Sequence, residues 1–172
     1  SSIDFQDIYT LAATGGVING DGSVTRARSD KTTNTYILQN TQINTNADIN
    51  ITADSTSEIT AQSDTTSLAA ANVGVSTSHA TSAGSTMINL ADNISLNSQN
   101  GNAQIKTQTN ENVNAISKAS NHGAAAGSGG ESVAKINKVS GIEIKNGFET
   151  NIHGDLTLSS VANNDVFSQS DG

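Results

Sequence analysis

Pairs of aliphatic residues separated by one polar residue recur along this chain. Four triplets share this form: Ile49-Asn50-Ile51, Ile94-Ser95-Leu96, Ile142-Glu143-Ile144 and Leu156-Thr157-Leu158. Alternation with a period of two residues is typical of a strand that buries one face. Each alternation is short, stops at residues that favour turns, and returns further along the chain. The pattern therefore predicts an all-β chain built from short strands.

Such short strands cannot close a compact hydrophobic core by themselves. Stacked on copies in the next coil, about 4.8 Å away, they can build a thin and continuous core. We therefore expect a right-handed parallel β-helix, a β-solenoid in which each strand pairs with a strand one coil away rather than in a hairpin. The aliphatic residues of the four triplets are expected to point inward and to stack in columns.

A loose repeat of about fifty residues connects these strands. Ile37 and Ile88 are 51 residues apart, as are Ile43 and Ile94, and Ile142 follows Ile94 after 48. On this basis we divide the chain into an N-terminal irregular or partial-coil segment, two repeat units and a partial third unit, which together form one continuous solenoid. The boundaries are 1–34, 35–85, 86–137 and 138–172.

Two stretches poor in large side chains interrupt the strands, at 67–85 and 115–132. Ala, Gly and Ser dominate both, which is typical of flexible linkers. They also occupy the same phase of the repeat, which favours a second interpretation, namely coils or side-hairpins of small residues whose backbones approach closely.

Turn-forming dipeptides support the same segmentation. Asn100-Gly101 and Asn146-Gly147 each follow one strand and precede another, as a tight corner requires. The cluster 19–22 (Asn-Gly-Asp-Gly) predicts a further turn. Helix is disfavoured, because β-branched residues, Asn and Gly dominate and no apolar stripe of helical period persists.

Composition agrees with a thin core rather than with disorder. Hydrophobic residues make up 34% of the chain and aromatic residues 3%, so a large single core is not expected. Pro is absent and charged residues are only 14%, whereas disordered chains are rich in both. Asn, Ser and Thr total 64 of 172 residues, and Asn side chains stacked between coils can form hydrogen-bonded ladders.

The charge and the missing residue types exclude several functions. A net charge of −8 argues against a nucleic-acid partner. The absence of Cys excludes disulfides and thiolate metal sites and is compatible with secretion. No apolar stretch approaches the roughly 18 residues of a transmembrane helix, and no signal peptide is evident. Because the chain starts at Ser1 rather than at Met, we expect it to be an excerpt from a longer protein.

The strands 47–53 (ADINITA) and 154–159 (GDLTLS) resemble the repeat coils of filamentous-haemagglutinin-type adhesins, which are exported by two-partner secretion. Together with the Ala/Gly/Ser stretches they are similar to the large leukotoxin-like filamentous adhesins. The resemblance covers residues 35–160. It implies a right-handed parallel β-helix, a secreted or cell-surface location and a role in attachment or fibre formation, and it implies no catalytic residues. The repeat of about fifty residues is longer than the coil of roughly twenty residues that is typical of that family.

Candidate metal ligands are sparse. His79 and His122 lie in the two small-residue stretches and could share a metal across coils, with Glu131 as the nearest carboxylate in sequence. The acidic residues between 48 and 64 lack the spacing of a calcium loop. We therefore expect exposed polar side chains here, with no metal site and no cofactor.

A carbohydrate-active β-helix, either a polysaccharide lyase or a hydrolase, is the enzymatic alternative. Lys106 and Lys145 are placed at nearly equivalent strand positions, and Glu143 stands close to Lys145. However, aromatic residues that could line a sugar cleft are almost missing, and Arg26 and Arg28 lie outside the repeats. No catalytic residue is assigned.

The sequence thus favours a structural and adhesive segment of a long extracellular protein, secreted or on the surface of a Gram-negative bacterium. The expected partners are other copies or neighbouring repeats and cell-surface glycans or proteins. A third interpretation is a self-assembling filament subunit, in which the open ends of the solenoid pair between chains.

Overall fold

The computed structural model describes residues 2–172, and among them it contains β-strands and turns but no helix. Two of the strands are very long, β1 (Ser2–Ile37) and β3 (Ile49–Leu90), and β8 (Leu156–Asp171) is of intermediate length. Two more have twenty residues each: β5 (Ala103–His122) and β6 (Ala125–Ile144). Three are short: β2 (Gln42–Thr45), β4 (Ser95–Ser98) and β7 (Glu149–Ile152). The all-β prediction is confirmed.

Every strand pair among the described residues is parallel and joins residues at a nearly constant separation. On the short strands, Asn97 donates to its partner Asn44, and the two are 53 residues apart. At the next corner the Asn102 backbone N–H donates to Asp48, and these two are 54 residues apart. We call this interval one repeat. The prediction of parallel pairing between distant strands is confirmed.

The shorter separations inferred from the aliphatic triplets are wrong. Ile37 pairs with Leu90 rather than with Ile88.

The long strands change partner where the chain turns back. β3 pairs with β5 up to Leu68 and with β6 from Ala71 onward. Side-chain contacts then join its two halves: the Ser76 hydroxyl donates to the Ser63 carbonyl oxygen, across a separation of 13 residues. We call the part before the reversal the first leg (2–16, 49–68, 103–122 and 156–171) and the part after it the second leg (18–37, 71–90 and 125–144). The legs lie face to face.

Burial alternates along both legs of β3 but changes parity at the reversal. Every odd residue from 49 to 69 is buried, whereas on the second leg the buried positions are even, from 72 to 90 with Gly84 half-buried. Successive strand residues point to opposite faces, so this pattern places one face of each leg inside and the other in solvent. The change of parity is what a chain reversal between two facing sheets requires.

These strands are far longer than the short strands that the hydrophobic pattern predicts. Between the aliphatic triplets the inward positions hold small residues such as Ser55, Ser57 and Ala61. These small inward residues alternate with polar outward residues, so side-chain size still has a period of two residues. Hydrophobicity has no such period here, because Ser on the inside is polar as well.

The stretches 67–85 and 115–132 consequently lie mostly within β3, β5 and β6, so the flexible-linker interpretation is wrong. Coils of small residues with closely approaching backbones are confirmed, since a Cβ at Gly123 would come within 2.0 Å of the Ala69 carbonyl oxygen. The side-hairpin form of that interpretation is wrong, because these strands pair in parallel.

Aliphatic side chains concentrate where both legs meet the short strands β2, β4 and β7, which form a separate three-stranded sheet. We call this region the three-sheet end. Its buried cluster contains Ile49, Ile51, Ala53, Ile88, Leu90, Ile94, Leu96, Ala103 and Ile105. Ile37, Ile43, Ile142, Phe148 and Ile152 pack against it.

Four of the eight residues predicted to be inward are buried in this cluster, and Ile142 is half-buried against it. Ile144, Leu156 and Leu158 are exposed instead, at 38%, 38% and 43%. Leu156 and Leu158 pair with the buried Ala103 and Ile105, so they point inward as predicted. They are exposed because β8 lies at the edge of its sheet.

Beyond the three-sheet end the legs enclose mainly hydroxyl groups, and we call this region the two-leg arm. A smaller apolar cluster lies within it, formed by Ala27, Ile59, Ala61, Ala80, Val113 and Ala115. Further out, the buried Ser23 hydroxyl lies 2.5 Å from that of Ser63 and 2.8 Å from that of Thr65. The Ser76 hydroxyl oxygen lies 2.9 Å from that of Ser63. Hydrogen bonds between these hydroxyls and to backbone carbonyls lower the cost of burying them, while the buried hydroxyls of Ser57, Ser67 and Thr109 have no partner.

The corners between legs and short strands use the same chemistry in each repeat. Asn40, Asn93 and Gly147 occupy equivalent corner positions, and all have positive φ, at 60°, 59° and 72°. Asn and Gly tolerate this conformation best. The turns predicted at Asn100-Gly101 and Asn146-Gly147 are confirmed, while that at 19–22 is wrong because those residues continue β1 after the reversal.

The N-terminal segment, expected to be irregular or a partial coil, lies in β1 from Ser2 onward and pairs with β3. Arg26 and Arg28, placed outside the repeats by the sequence reasoning, pair there with His79 and Thr81.

Candidate functional site

The three residues considered as metal ligands are not brought together. His79 Nε2 lies 3.8 Å from Glu131 Oε1, at the partly exposed outer side of the second leg. His122 ends β5, where it pairs with Leu68 near the reversal. Within the described part of the chain, no group of three or more His, Cys, Asp or Glu residues is placed to hold a metal ion.

The lysines considered for a carbohydrate-active site occupy different places. Lys106 lies on the first leg and pairs with Thr52. Lys145 follows β6 at a corner, where its backbone N–H donates to the Leu90 carbonyl oxygen at 3.0 Å. Their predicted equivalence is therefore wrong. Glu143 is exposed on β6, opposite Asn89.

A shallow groove of about 310 Å³ crosses the outer side of the first leg, and its lining includes Glu58, Asn112 and Asp165. These three residues are successive partners in the repeat. The two carboxylates are therefore two strands apart, about 10 Å at the usual strand spacing. An inverting glycosidase separates its carboxyl groups by about 6.5–9.5 Å. Both carboxylates are exposed on the outer side of the leg, so they do not converge in an enclosed pocket as a catalytic pair does.

An ion pair that sequence reasoning missed is buried inside the two-leg arm. Lys138 Nζ lies 2.6 Å from Glu111 Oε1, and the two side chains are 2% and 0% exposed. The Ser82 hydroxyl donates to the other carboxylate oxygen, and Lys138 also donates to the Ser55 hydroxyl at 2.8 Å. Since 27 residues separate the pair, only knowledge of the chain reversal would have joined them.

A second lysine lies at the equivalent position two repeats earlier in the chain. Lys31 pairs with Gly84, which pairs with Lys138. Lys31 Nζ donates to the Thr56 carbonyl oxygen at 3.0 Å, and burial lowers the pKa of this lysine. A Cβ at Gly84 would come within 2.0 Å of the Lys31 carbonyl oxygen. The bonds of Lys31 and Lys138 join the second leg to the first.

The outer face of the short sheet differs from the rest of the surface in its chemistry. Its outward positions form three rows, each related by the repeat. The rows are Gln42, Ser95, Glu149; Asn44, Asn97, Asn151; and Asn46, Gln99, His153. We call this surface the amide face, because six of its nine side chains are carboxamides.

Hydrogen bonds along the amide face fix part of it and leave part unused. Asn97 Nδ2 donates to Asn44 Oδ1 at 2.7 Å and to the Ser95 hydroxyl at 3.2 Å. The side chains of Gln99, Asn151 and His153 have no hydrogen-bond partner among the described residues. The face therefore combines held amides with free donors and acceptors.

Two open depressions lie on the amide face. One, of about 300 Å³, is lined by Asn44, Thr45, Asn46, Asn97 and Gln99. The other, of about 510 Å³, is lined by Asn44, Asn97, Ser98, Gln99, Asn151 and His153. Both fall within the range of about 300–1,000 Å³ that is usual for small-molecule sites, although they are shallow.

Two further findings bear on identity. The part of the chain that the structure describes contains no helix of the length and apolarity needed to cross a membrane. Comparison with protein-family models, with curated proteins and with solved structures finds no match to this chain.

Proposed function

We propose that this chain is a segment of a repetitive extracellular fibre, built as a right-handed parallel β-solenoid and used for attachment. The observation that carries the proposal is the constant separation of paired residues. From Ser2 to Asp171 each strand returns to its neighbour after one repeat, always parallel. A chain that winds at a constant pitch can be extended by further repeats without a change of design.

The right-handed winding is proposed from a general rule. Parallel strands joined by a crossover connection are right-handed in nearly all proteins, because strand twist favours that hand.

Stiffness of the fibre would come from contacts that repeat along its axis. Ladders of Asn side chains join successive repeats, with Asn93 donating to Asn40 at 3.1 Å and Asn163 to Asn110 at 2.9 Å. At the corners the Asn102 and Asp155 backbone N–H groups donate to side chains one repeat earlier, at 2.7 and 2.8 Å. Such ladders add to the backbone hydrogen bonds between parallel strands and fix their register.

An attachment role is supported by the outer surface. The outward positions are predominantly polar, and every further repeat would present the same faces again at a fixed distance. Weak contacts repeated along one rigid body gain strength by multivalency, so no deep pocket is required. The resemblance of 47–53 and 154–159 to filamentous adhesin coils supports a bacterial cell surface as the location.

Immuno-electron microscopy on the producing cells tests the proposal directly. Antibodies raised against the folded chain are expected to label extended fibres outside the cell. Beads coated with the chain are expected to adhere to cells or matrix, and beads coated with the same chain after heat unfolding should adhere less. Labelling confined to the cell interior, or equal adherence of both bead types, would contradict the proposal.

A further inference from the structure

We infer that the amide face is a binding site for neutral oligosaccharides. This inference rests on the proposed attachment function and names the ligand class of one surface. Its members are the nine outward side chains of β2, β4 and β7 and the adjoining corner, defined above.

Charge restricts the class of ligand. The chain carries a net charge of −8, so an anionic sugar would approach against the field of the whole molecule. On the amide face itself Glu149 is the one carboxylate among the nine side chains, and no Lys or Arg is present there. Sialylated or sulfated glycans would have no cation to pair with, and a polycation would meet a single carboxylate. A neutral ligand remains.

Hydrogen-bonding capacity points to a ligand rich in hydroxyl groups. A carboxamide offers both a donor and an acceptor, which suits hydroxyls that also both donate and accept. The unused groups of Gln99, Asn151 and His153 lie around the larger depression. Asn97 is already held by its bonds to Asn44 and Ser95, so less side-chain entropy is lost on binding.

The shape of the face suits a small ligand. Two open depressions of about 300 and 510 Å³ lie within the nine side chains, which span about 13 Å by 10 Å at the usual strand dimensions. One or two sugar units match the depressions, and a single contact would be weak because His153 supplies the only aromatic ring of the face.

The test measures binding of the biotinylated chain, displayed as a tetramer on streptavidin, to printed mannose, galactose, glucose and xylose oligosaccharides. Sialylated and sulfated glycans are the comparators. We expect binding to at least one neutral series and to neither anionic series. The variant Gln99→Ala/Asn151→Ala/His153→Ala should weaken it by about tenfold or more, since loss at each site is multiplied by multivalency.

A matched control removes another asparagine ladder of the outer surface. The variant Asn110→Ala/Asn163→Ala deletes the ladder bond of 2.9 Å on the first leg and should leave glycan binding unchanged. Circular dichroism establishes that both variants are folded. Binding unaffected by the triple variant, preference for the anionic glycans, or no neutral binding by the folded tetramer would each overturn the inference. If antibodies label fibres on cells but the folded chain binds no neutral glycan, the inference about the amide face is refuted and the proposed attachment function is not.

Discussion

The three-sheet end and the two-leg arm enclose different interiors with the same backbone pairing. At the three-sheet end Ile88, Leu90, Ile94 and Leu96 are fully buried and form one apolar cluster. In the arm the inward positions hold mainly Ser, Thr and Ala, together with a buried ion pair. Large aliphatic side chains fill the three-sheet end, whereas the apolar cluster of the arm holds Ile59 and Val113 among alanines. Burial of apolar surface therefore stabilises mainly one end, while backbone ladders and hydrogen bonds between buried polar groups contribute more to the other.

The largest effect is expected at the three-sheet end. Replacing Ile94 with Asn removes a fully buried side chain and places an unpaired amide there, so we expect a loss of about 4 kcal/mol in the free energy of unfolding. Urea denaturation measures it. Gln42→Asn, at an exposed position of the neighbouring strand, is the control and should change stability little. A loss below about 1 kcal/mol would show that this cluster does not dominate stability.

Breaking the buried ion pair should have the next largest effect. Lys138→Met leaves the Glu111 carboxylate buried without its cation, which costs about 3 kcal/mol or more. Glu111→Leu/Lys138→Met removes both charges and should recover most of that loss. A double-mutant cycle by urea denaturation tests this. If the double variant is as unstable as the single one, packing rather than charge accounts for the effect.

Overpacking should distinguish the arm from the three-sheet end. Ser63 is fully buried between the legs and touches the hydroxyls of Ser23 and Ser76. Ser63→Leu should cost about 2 kcal/mol or more because the larger side chain would overlap the hydroxyls of Ser23 and Ser76, whereas Ser63→Ala should cost about 1 kcal/mol. Thermal unfolding of both variants gives the order. A more stable Leu variant would show that the arm tolerates an apolar interior.

The smallest effect concerns an ion pair on the outside of the arm. Arg28 Nε lies 2.6 Å from Asp30 Oδ2, and both side chains are largely exposed. The Arg28 guanidinium lowers the pKa of the Asp30 carboxyl. Because the folded pKa lies below the unfolded one, the stabilisation is present above the ordinary value of 3.8 and is lost as the pH falls through the folded pKa. Comparing wild type with Arg28→Gln from neutral pH downward should reveal a small difference that decreases in acid. A difference that grows on acidification would contradict this assignment.

Sequence patterns predicted the three-sheet end better than the arm. Ile49, Ile51, Ile94 and Leu96 are recognisable because aliphatic side chains alternate visibly with polar ones. The same alternation does not predict the arm, because Ser and Thr lie on both faces of its strands. The amide face was not recognised either, because its rows align only once the true length of the repeat is known.

Local sequence patterns were enough to predict an all-β chain, strands that pair in parallel with distant copies, and corners formed by Asn and Gly. These properties follow from local alternation, turn chemistry and the lack of Pro, each of which acts over a few residues. The reversal near Ala70, the pairing of Glu111 with Lys138 and the alignment of the amide rows become visible only in the folded chain. They could not be predicted because they depend on contacts between residues tens of positions apart. Their register is set by packing across and between the legs rather than by any local preference.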